Sequence, residues 1–340
     1  MFVEILSLLA GLILILIAAE SFTNGIETLG RRFSLSQAVV GSLLAAVGTA
    51  MPETILPVVA IFFYSGESAK DIGVGAILGA PFMLSTLAFF LVGLTVVISF
   101  LKKKRKFEIN AEPHSTMRDL VFFIPMYAAA VLIPIFAGRS FAILIAILLV
   151  FAYIFYAYRT FKGESADLEH SEEMYLLKIC RKAGLIASEN PPLFLIAVQV
   201  IGSLIIMIAG AHTFVASLEH VSVRFGMNPL LFALLLAPVA TELPEKFNSV
   251  SWTWKGRDTL AVGNITGAMV FQSTFPVSVG LLFTEWKLTG MALFSALIAL
   301  VSAIVILMEI VIRKKISPFS MLFGGVLYLI YALVLISGTI

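Results

Sequence analysis

Apolar runs of roughly 18 or more residues recur along the whole chain, each long enough to cross a bilayer as a helix. Ten such spans are drawn at about 2–28, 36–64, 72–100, 119–137, 140–161, 192–221, 228–252, 258–283, 288–312 and 317–338. The first, in "MFVEILSLLAGLILILIAAESF", has neither a basic leader nor a small-residue cleavage site, and reads as a retained transmembrane helix rather than a signal peptide. Two polar stretches interrupt the pattern. "KKKRKFEINAEPHSTMR" (Lys102–Arg118) reads as a solvated connector. The stretch from Lys162 to Pro192 reads the same way, with a weakly amphipathic "EEMYLLKICRKAG" that suits a short surface helix. Neither is long enough for a second globular domain. The predicted fold class is an all-α polytopic membrane protein: halves at 1–161 and 192–340, joined by a cytoplasmic connector at 162–191.

Composition agrees with the pattern. Of 340 residues, 60% are hydrophobic and 13% charged, against about a quarter charged in soluble domains. The net charge of +2 says little, but its distribution says more. Eighteen Lys and Arg fall in the loops on one side of the ten-span scheme and four (Lys70, Arg139, Arg224, Lys287) on the other. The positive-inside rule makes the rich side cytoplasmic and puts both termini outside a multi-pass plasma-membrane protein. The single cysteine, Cys180, excludes an internal disulfide and a multi-cysteine metal site.

The chain repeats itself. "RRFSLSQAVVGSLLAAVGTAMPET" (Arg31–Thr54) aligns without gaps with "VRFGMNPLLFALLLAPVATELPEK" (Val223–Lys246), pairing Thr49 with Thr241, Pro52 with Pro244 and Glu53 with Glu245. Further on, "VGAILGAPFMLST" (Val74–Thr86) aligns with "VGNITGAMVFQST" (Val262–Thr274). Each copy occupies the second and third spans of a five-span half. Five is odd, so the halves have opposite orientation: two inverted five-helix repeats, an architecture that sets a transported ion near the midplane. The prolines predict broken second and seventh helices.

The repeated motif carries oxygen chemistry. A proline within a helix frees the carbonyl four residues earlier, here at Gly48 and Ala240. Freed carbonyls at membrane depth need a partner. Glu53 and Glu245 each open a half-helix whose dipole favours the ionised carboxylate, and Thr49 and Thr241 add hydroxyls from the preceding turn. Carboxylates, hydroxyls and carbonyls suit Ca²⁺ or Na⁺, whereas softer metals want imidazole or thiolate. Each charge near the bilayer centre costs roughly 2.5–3.5 kcal/mol on insertion scales, and bearing that cost at matching places in a repeat points to function. The second copy alone has Glu242 and Lys246, spaced for a helical ion pair. With Glu53, Glu242 and Glu245 ionised and Lys246 protonated, the local charge of −2 matches one Ca²⁺. Lys246 is then a tethered countercharge, or else a side chain that snorkels or simply neutralises Glu242. Glu20 in the first span is a candidate for lining an access path, and Glu27 reads as an interfacial carboxylate.

The doubled Thr-x-x-Pro-Glu, each followed by a Gly-x-x-x-Gly helix, resembles the α-repeats of the Ca²⁺:cation antiporter superfamily, the sodium/calcium exchangers and their relatives. The resemblance covers both repeats and the ten-span layout, and the flanking spans match in hydropathy only. It implies cation binding through Glu53 and Glu245 together with Gly48-Thr49-Ala50 and Ala240-Thr241-Glu242, and transport as the first and sixth spans slide past the core. The family's serine after threonine is Ala50 in one copy and Glu242 in the other. Its further serine and asparagine or aspartate are Ala80 and Pro81, then Ala268 and Met269. Asn264 survives, and Gln272 falls where the family often has another polar residue. Ser85 and Ser273, followed by Thr86 and Thr274, are paired hydroxyls deeper in these helices. They serve as coupling groups or bond their own helix carbonyls.

The leading expectation is therefore a secondary antiporter that exchanges Ca²⁺ for Na⁺ or H⁺ by alternating access. The other readings are proton- or potassium-coupled divalent exchange and a cation channel. His-Glu-x-x-His, Gly-x-Gly-Asp and a P-loop are absent, which argues against an intramembrane enzyme and direct ATP drive. No cofactor is expected beyond the transported ions. The expected partners are lipid and inorganic cations, with no nucleic acid and no obligate protein partner.

Overall fold

The structure, a computed structural model, describes residues 2–33, 50–64, 66–161, 173–184, 190–288 and 290–337. Gly48 and Thr49 lie outside these residues, as do the side chains of residues 243–245, Glu245 among them. The described chain is helical almost throughout. Its elements are α1 (Phe2–Arg32), α2 (Met51–Phe62), α3 (Glu67–Leu101), α4 (Pro113–Ala137), α5 (Arg139–Phe161), α6 (Tyr175–Lys182), α7 (Leu193–Arg224), α8 (Pro229–Trp254), α9 (Asp258–Gln272), α10 (Phe275–Phe283), α11 (Gly290–Arg313) and α12 (Pro318–Ser337). Eight described stretches are long and apolar enough to cross a membrane, with α9 and α10 counted as one. Two shorter apolar helices, α2 and Pro229–Glu242 of α8, fall on the second and seventh predicted spans.

Helix ends follow local chemistry. Asn228 caps α8 by accepting from the Leu230 amide at 2.9 Å, and Pro229 follows where a missing N–H costs nothing. Arg31 and Arg32 close α1, where positive charge meets the negative end of the helix dipole. Arg139 donates to the carbonyls of Leu281 and Thr284, both at 2.6 Å, and so caps the end of α10.

In the seventh span the backbone differs from the expectation. α8 runs unbroken through Pro244. One missing amide removes a single rung of the ladder, and the bonds on either side carry the helix through. Among the described residues the breaks fall in the third and eighth spans, at the two Ser-Thr pairs, while α2 begins at Met51 beside Pro52 and residues 34–49 of the second span lie outside the described residues. Leu84–Ala88 forms a π turn inside α3, and α9 ends at Gln272, with Thr274 leading into α10. In each place hydroxyls take the carbonyls that the helix would use. Ser85 donates to the Pro81 carbonyl at 2.7 Å, and Thr274 to that of Val270 at 2.8 Å. This competition and a proline in the same turn (Pro81, Pro276) loosen the α ladder.

Most of the packing falls into two large apolar clusters. The larger joins α3–α5 with α9–α12. The smaller joins α1 and α7 to α2 and to the facing sides of α3 and α8. α1 and α7 lie antiparallel, since Gly11 sits against Gly210 and Phe214 while Gly25 sits against Gln199 and Val200. A side chain at Gly11 would begin 2.8 Å from the Phe214 amide nitrogen, so only glycine permits this approach.

The first connector is not simply solvated. Arg105 reaches Asp258 at the start of α9 (2.8 Å to Oδ1) and the Thr253 carbonyl (2.9 Å), and the Asn110 amide donates to the same carboxylate at 2.8 Å. Asp258 is fully buried and Arg105 nearly so. The hydrogen bond that Arg105 donates to Asp258 raises the Arg105 pKa further. The second connector does hold the expected short helix, α6, whose Met174 and Leu177 pack against Leu195 and Ile196 of α7.

Candidate cation site

Pro52 occupies the first turn of α2, where its missing amide is harmless, and the next residue is Glu53. The helix dipole therefore faces this carboxylate. Glu53 is buried. One position on, the Thr54 hydroxyl bonds the Ala50 carbonyl at 2.8 Å and closes the turn.

Across from it lies α8. Gly75 and Gly79 of α3 bring the two helices together. A Cβ on Gly75 would fall 2.1 Å from the Leu230 carbonyl oxygen, and one on Gly79 would fall 2.2 Å from that of Leu234. The contact order, Gly75 to Leu230 and Gly79 to Leu234, makes α3 and α8 parallel. Between α2, α3 and α8 is a small cavity of about 10 Å³, lined by Glu53, Leu56, Ala76, Ala80, Ala237, Pro238 and Thr241. Thr241 is buried and donates to the Ala237 carbonyl at 3.1 Å, which leaves its oxygen lone pairs available. A carboxylate of the first half and a hydroxyl of the second thus share one small space.

The rest of the sequence-derived set is distributed as follows. Glu242 and Lys246 are both buried and form an ion pair of 3.4 Å. Their counterparts in the first copy are Ala50 and Thr54, which carry no charge. Ala240, half-buried, is in the same stretch of α8. Asn264 donates to Ser249 at 3.2 Å and ties α9 to α8 near Lys246. Gln272 is buried at the end of α9, with its Oε1 in no hydrogen bond among the described residues. Ser85 and Ser273 are fully buried and bond their own helix carbonyls, and neither lines the cavity. Glu20 is exposed and accepts from the Tyr175 hydroxyl of α6 at 2.8 Å, away from the cavity.

Sequence reasoning passed over Asp119. It is buried on α4 and accepts from Thr266 of α9 at 2.6 Å, from Tyr156 of α5 at 2.7 Å and from Arg118. It stands at the edge of a predicted span. The available signal was its helical spacing from Phe123 and Tyr127, both buried residues of α4. With its oxygens engaged by three partners, Asp119 joins helices rather than offering a vacant ligand.

Comparison with known proteins adds an independent line. The sodium/calcium exchanger protein family model matches residues 3–162 and 195–337. The inner membrane protein YrbG of Escherichia coli is 23% identical over 285 residues, 84% of this chain and 81% of that protein. The crystal structure of the H⁺/Ca²⁺ exchanger CAX superposes with a TM-score of 0.70 at 16% identity, covering 98% of this chain and 82% of that one. The sodium-calcium exchanger NCX_Mj gives a TM-score of 0.56 at 20% identity, over 97% of both chains. At such identities the superpositions establish the fold.

Proposed function

The chain belongs to the sodium/calcium exchanger protein family, and from that premise we propose that it is a secondary antiporter moving Ca²⁺ against Na⁺ or H⁺ by alternating access. The reading is carried by one observation: Glu53 of the first half and Thr241 of the second line the same cavity. A cation there meets hard oxygen donors, the chemistry Ca²⁺ and Na⁺ accept. Glu245 supplies the second carboxylate in this reading. Thr49, with the carbonyls of Gly48 and Ala240, completes the shell, and Glu242 and Asn264 stand at its edge.

The ten-span, inverted-repeat layout belongs to the same proposal. It requires the first and sixth spans to be antiparallel and the third and seventh to be parallel. The contacts of Gly11 with Gly210 and of Gly75 with Leu230 agree with both requirements. In this layout both termini lie outside the cell and the 162–191 connector lies inside.

Ala80 bears on the coupling ion. It is part of the cavity wall at a position where the resemblance implies a serine, so one hydroxyl ligand is missing. Fewer oxygens favour H⁺, or fewer Na⁺ per Ca²⁺. The test is radiolabelled Ca²⁺ flux in proteoliposomes with Na⁺, K⁺ and pH gradients imposed one at a time. Exchange driven by one of these gradients supports the reading and names the ion. Ca²⁺ flux indifferent to all three contradicts it.

A further inference from the structure

α3, α8 and α11 end on one face of the molecule, and the segments that follow them are tied together. Arg105, just past α3, reaches the Thr253 carbonyl of α8 at 2.9 Å. Lys102 and Lys104 lie over the Trp254 ring of α8, 5.2 and 4.6 Å from its centre. Ile109 pairs with Ile316, just past α11, in an antiparallel bridge, and the Phe107 ring stands 5.1 Å from that of Phe319.

The face so assembled is strongly basic. Residues 102–106, 255–257 and 313–315 are lysine and arginine with a single glycine. Arg105 is turned inward onto Asp258, and the other cationic residues of the three segments are exposed. The acids nearby offset little of this charge. Asp258 is taken by Arg105, and Glu309 lies 3.6 Å from Arg313 while accepting from Ser317 and Ser320. Glu108 is exposed at the rim.

Two of the lysines stand where lysine is costly. After each of the three helices the chain turns through a residue in the left-handed region. After α8 this is Gly256 (φ 76°), which has no Cβ to clash. After α3 and α11 it is Lys103 and Lys314, both at φ 56°. The turns at Lys103 and Gly256 are otherwise alike, each amide returning to the carbonyl three residues back, at 2.8 and 3.0 Å. A cation near a helix C-terminus is favourable, but Lys102, Lys255 and Arg313 already supply one to each helix. Glycine would serve the two turns better, so the lysines are there for their charge. Beside them Leu101, Ile312 and Phe319 are exposed apolar side chains.

We propose that this face binds the headgroups of anionic phospholipids, with Lys103 and Lys314 as its principal contacts. In a bilayer Leu101, Ile312 and Phe319 meet acyl chains, and the neighbouring lysines reach the phosphate layer. A soluble anion would engage the charges alone, whereas a lipid engages both parts of the surface.

The test titrates the full-length chain in neutral detergent with phosphatidylglycerol and with phosphatidylcholine of the same acyl chains. Bound lipid is counted by native mass spectrometry. Phosphatidylglycerol is expected to bind about tenfold or more tightly at low salt, an advantage that shrinks as salt rises. Lys103→Gly and Lys314→Gly relax the turns, so neither should lower the melting temperature without lipid. Each should weaken phosphatidylglycerol binding about fivefold and leave phosphatidylcholine binding unchanged. Lys103→Asn and Lys314→Asn, which also suit the left-handed turn, should reproduce the loss. Equal affinity for the two lipids, or an unchanged preference in the double variants, would overturn the proposal. Glycerol phosphate competing as well as the whole lipid would also overturn it, by marking a site for soluble anions.

Discussion

Glu53 of α2 and Thr241 of α8 come from the two copies of the repeated motif, one from each half of the chain, and line one small cavity of about 10 Å³. Two helix segments that each carry threonine, proline and glutamate are thereby turned toward a common space. From this relationship follow expectations about ions, charge and packing.

Glu53→Gln removes the charge and keeps the shape. Ca²⁺ exchange by the reconstituted variant is expected to fall about 100-fold or more, because the loss of a charged ligand in a desolvated site costs several kcal/mol. Its melting temperature in detergent should hold or rise, since a buried carboxylate is expensive to desolvate. A variant that melts much earlier would show that Glu53 is structural.

The Glu242–Lys246 pair is fully enclosed at 3.4 Å. Lys246→Met strands Glu242 and is expected to destabilise the chain by roughly 3–5 kcal/mol, whereas Lys246→Met with Glu242→Leu should recover most of that loss. Thermal melts of both variants measure the difference. For transport, Lys246→Gln is expected to change the number of coupling ions exchanged per Ca²⁺. An unchanged stoichiometry would leave Lys246 as a plain neutraliser of Glu242.

Gly75 and Gly79 make the α3–α8 approach possible. Alanine at either position brings its Cβ within 2.1–2.2 Å of a carbonyl oxygen of α8, so the helices must separate. Gly79→Ala is expected to cost about 1–3 kcal/mol, the usual range for overpacking. It should also reduce exchange, because Ala80 and Ala237 move apart across the cavity. Melting and flux measured on one preparation check both effects.

The connector anchored by Arg105 and Asp258 is expected to protect its lysines from protease. Arg105→Ala leaves Asp258 buried and uncompensated, at a cost of about 2–4 kcal/mol. Trypsin should then cut among Lys102–Lys106 several times faster. An unchanged digestion rate would mean that the other bonds of this loop suffice to hold it.

The spans were legible because burial in lipid demands long apolar runs, and eight described stretches fall on predicted spans with ends within a few residues. The pairing of Glu53 with Thr241 was legible through the repeat, which relates residues far apart in the chain. Other features depend on atoms that periodicity does not report. Pro244 looked like the stronger helix breaker, yet the ladder is interrupted at Ser85 and Ser273, where hydroxyls capture backbone carbonyls. Arg105 looked solvated in a run of basic residues because its partner, Asp258, lies beyond five further helices. Glu20, a candidate for lining an access path, accepts from Tyr175, a residue of the connector that composition alone describes as polar linker.

The central claim is coupled exchange through the Glu53–Thr241 cavity, and Ca²⁺ uptake into everted vesicles under an opposing Na⁺ or H⁺ gradient tests it most directly. The account predicts accumulation above equilibrium that vanishes when the gradient is collapsed and is lost in Glu53→Gln. Uptake that only dissipates to equilibrium, gradient or not, or that persists in Glu53→Gln, would contradict it.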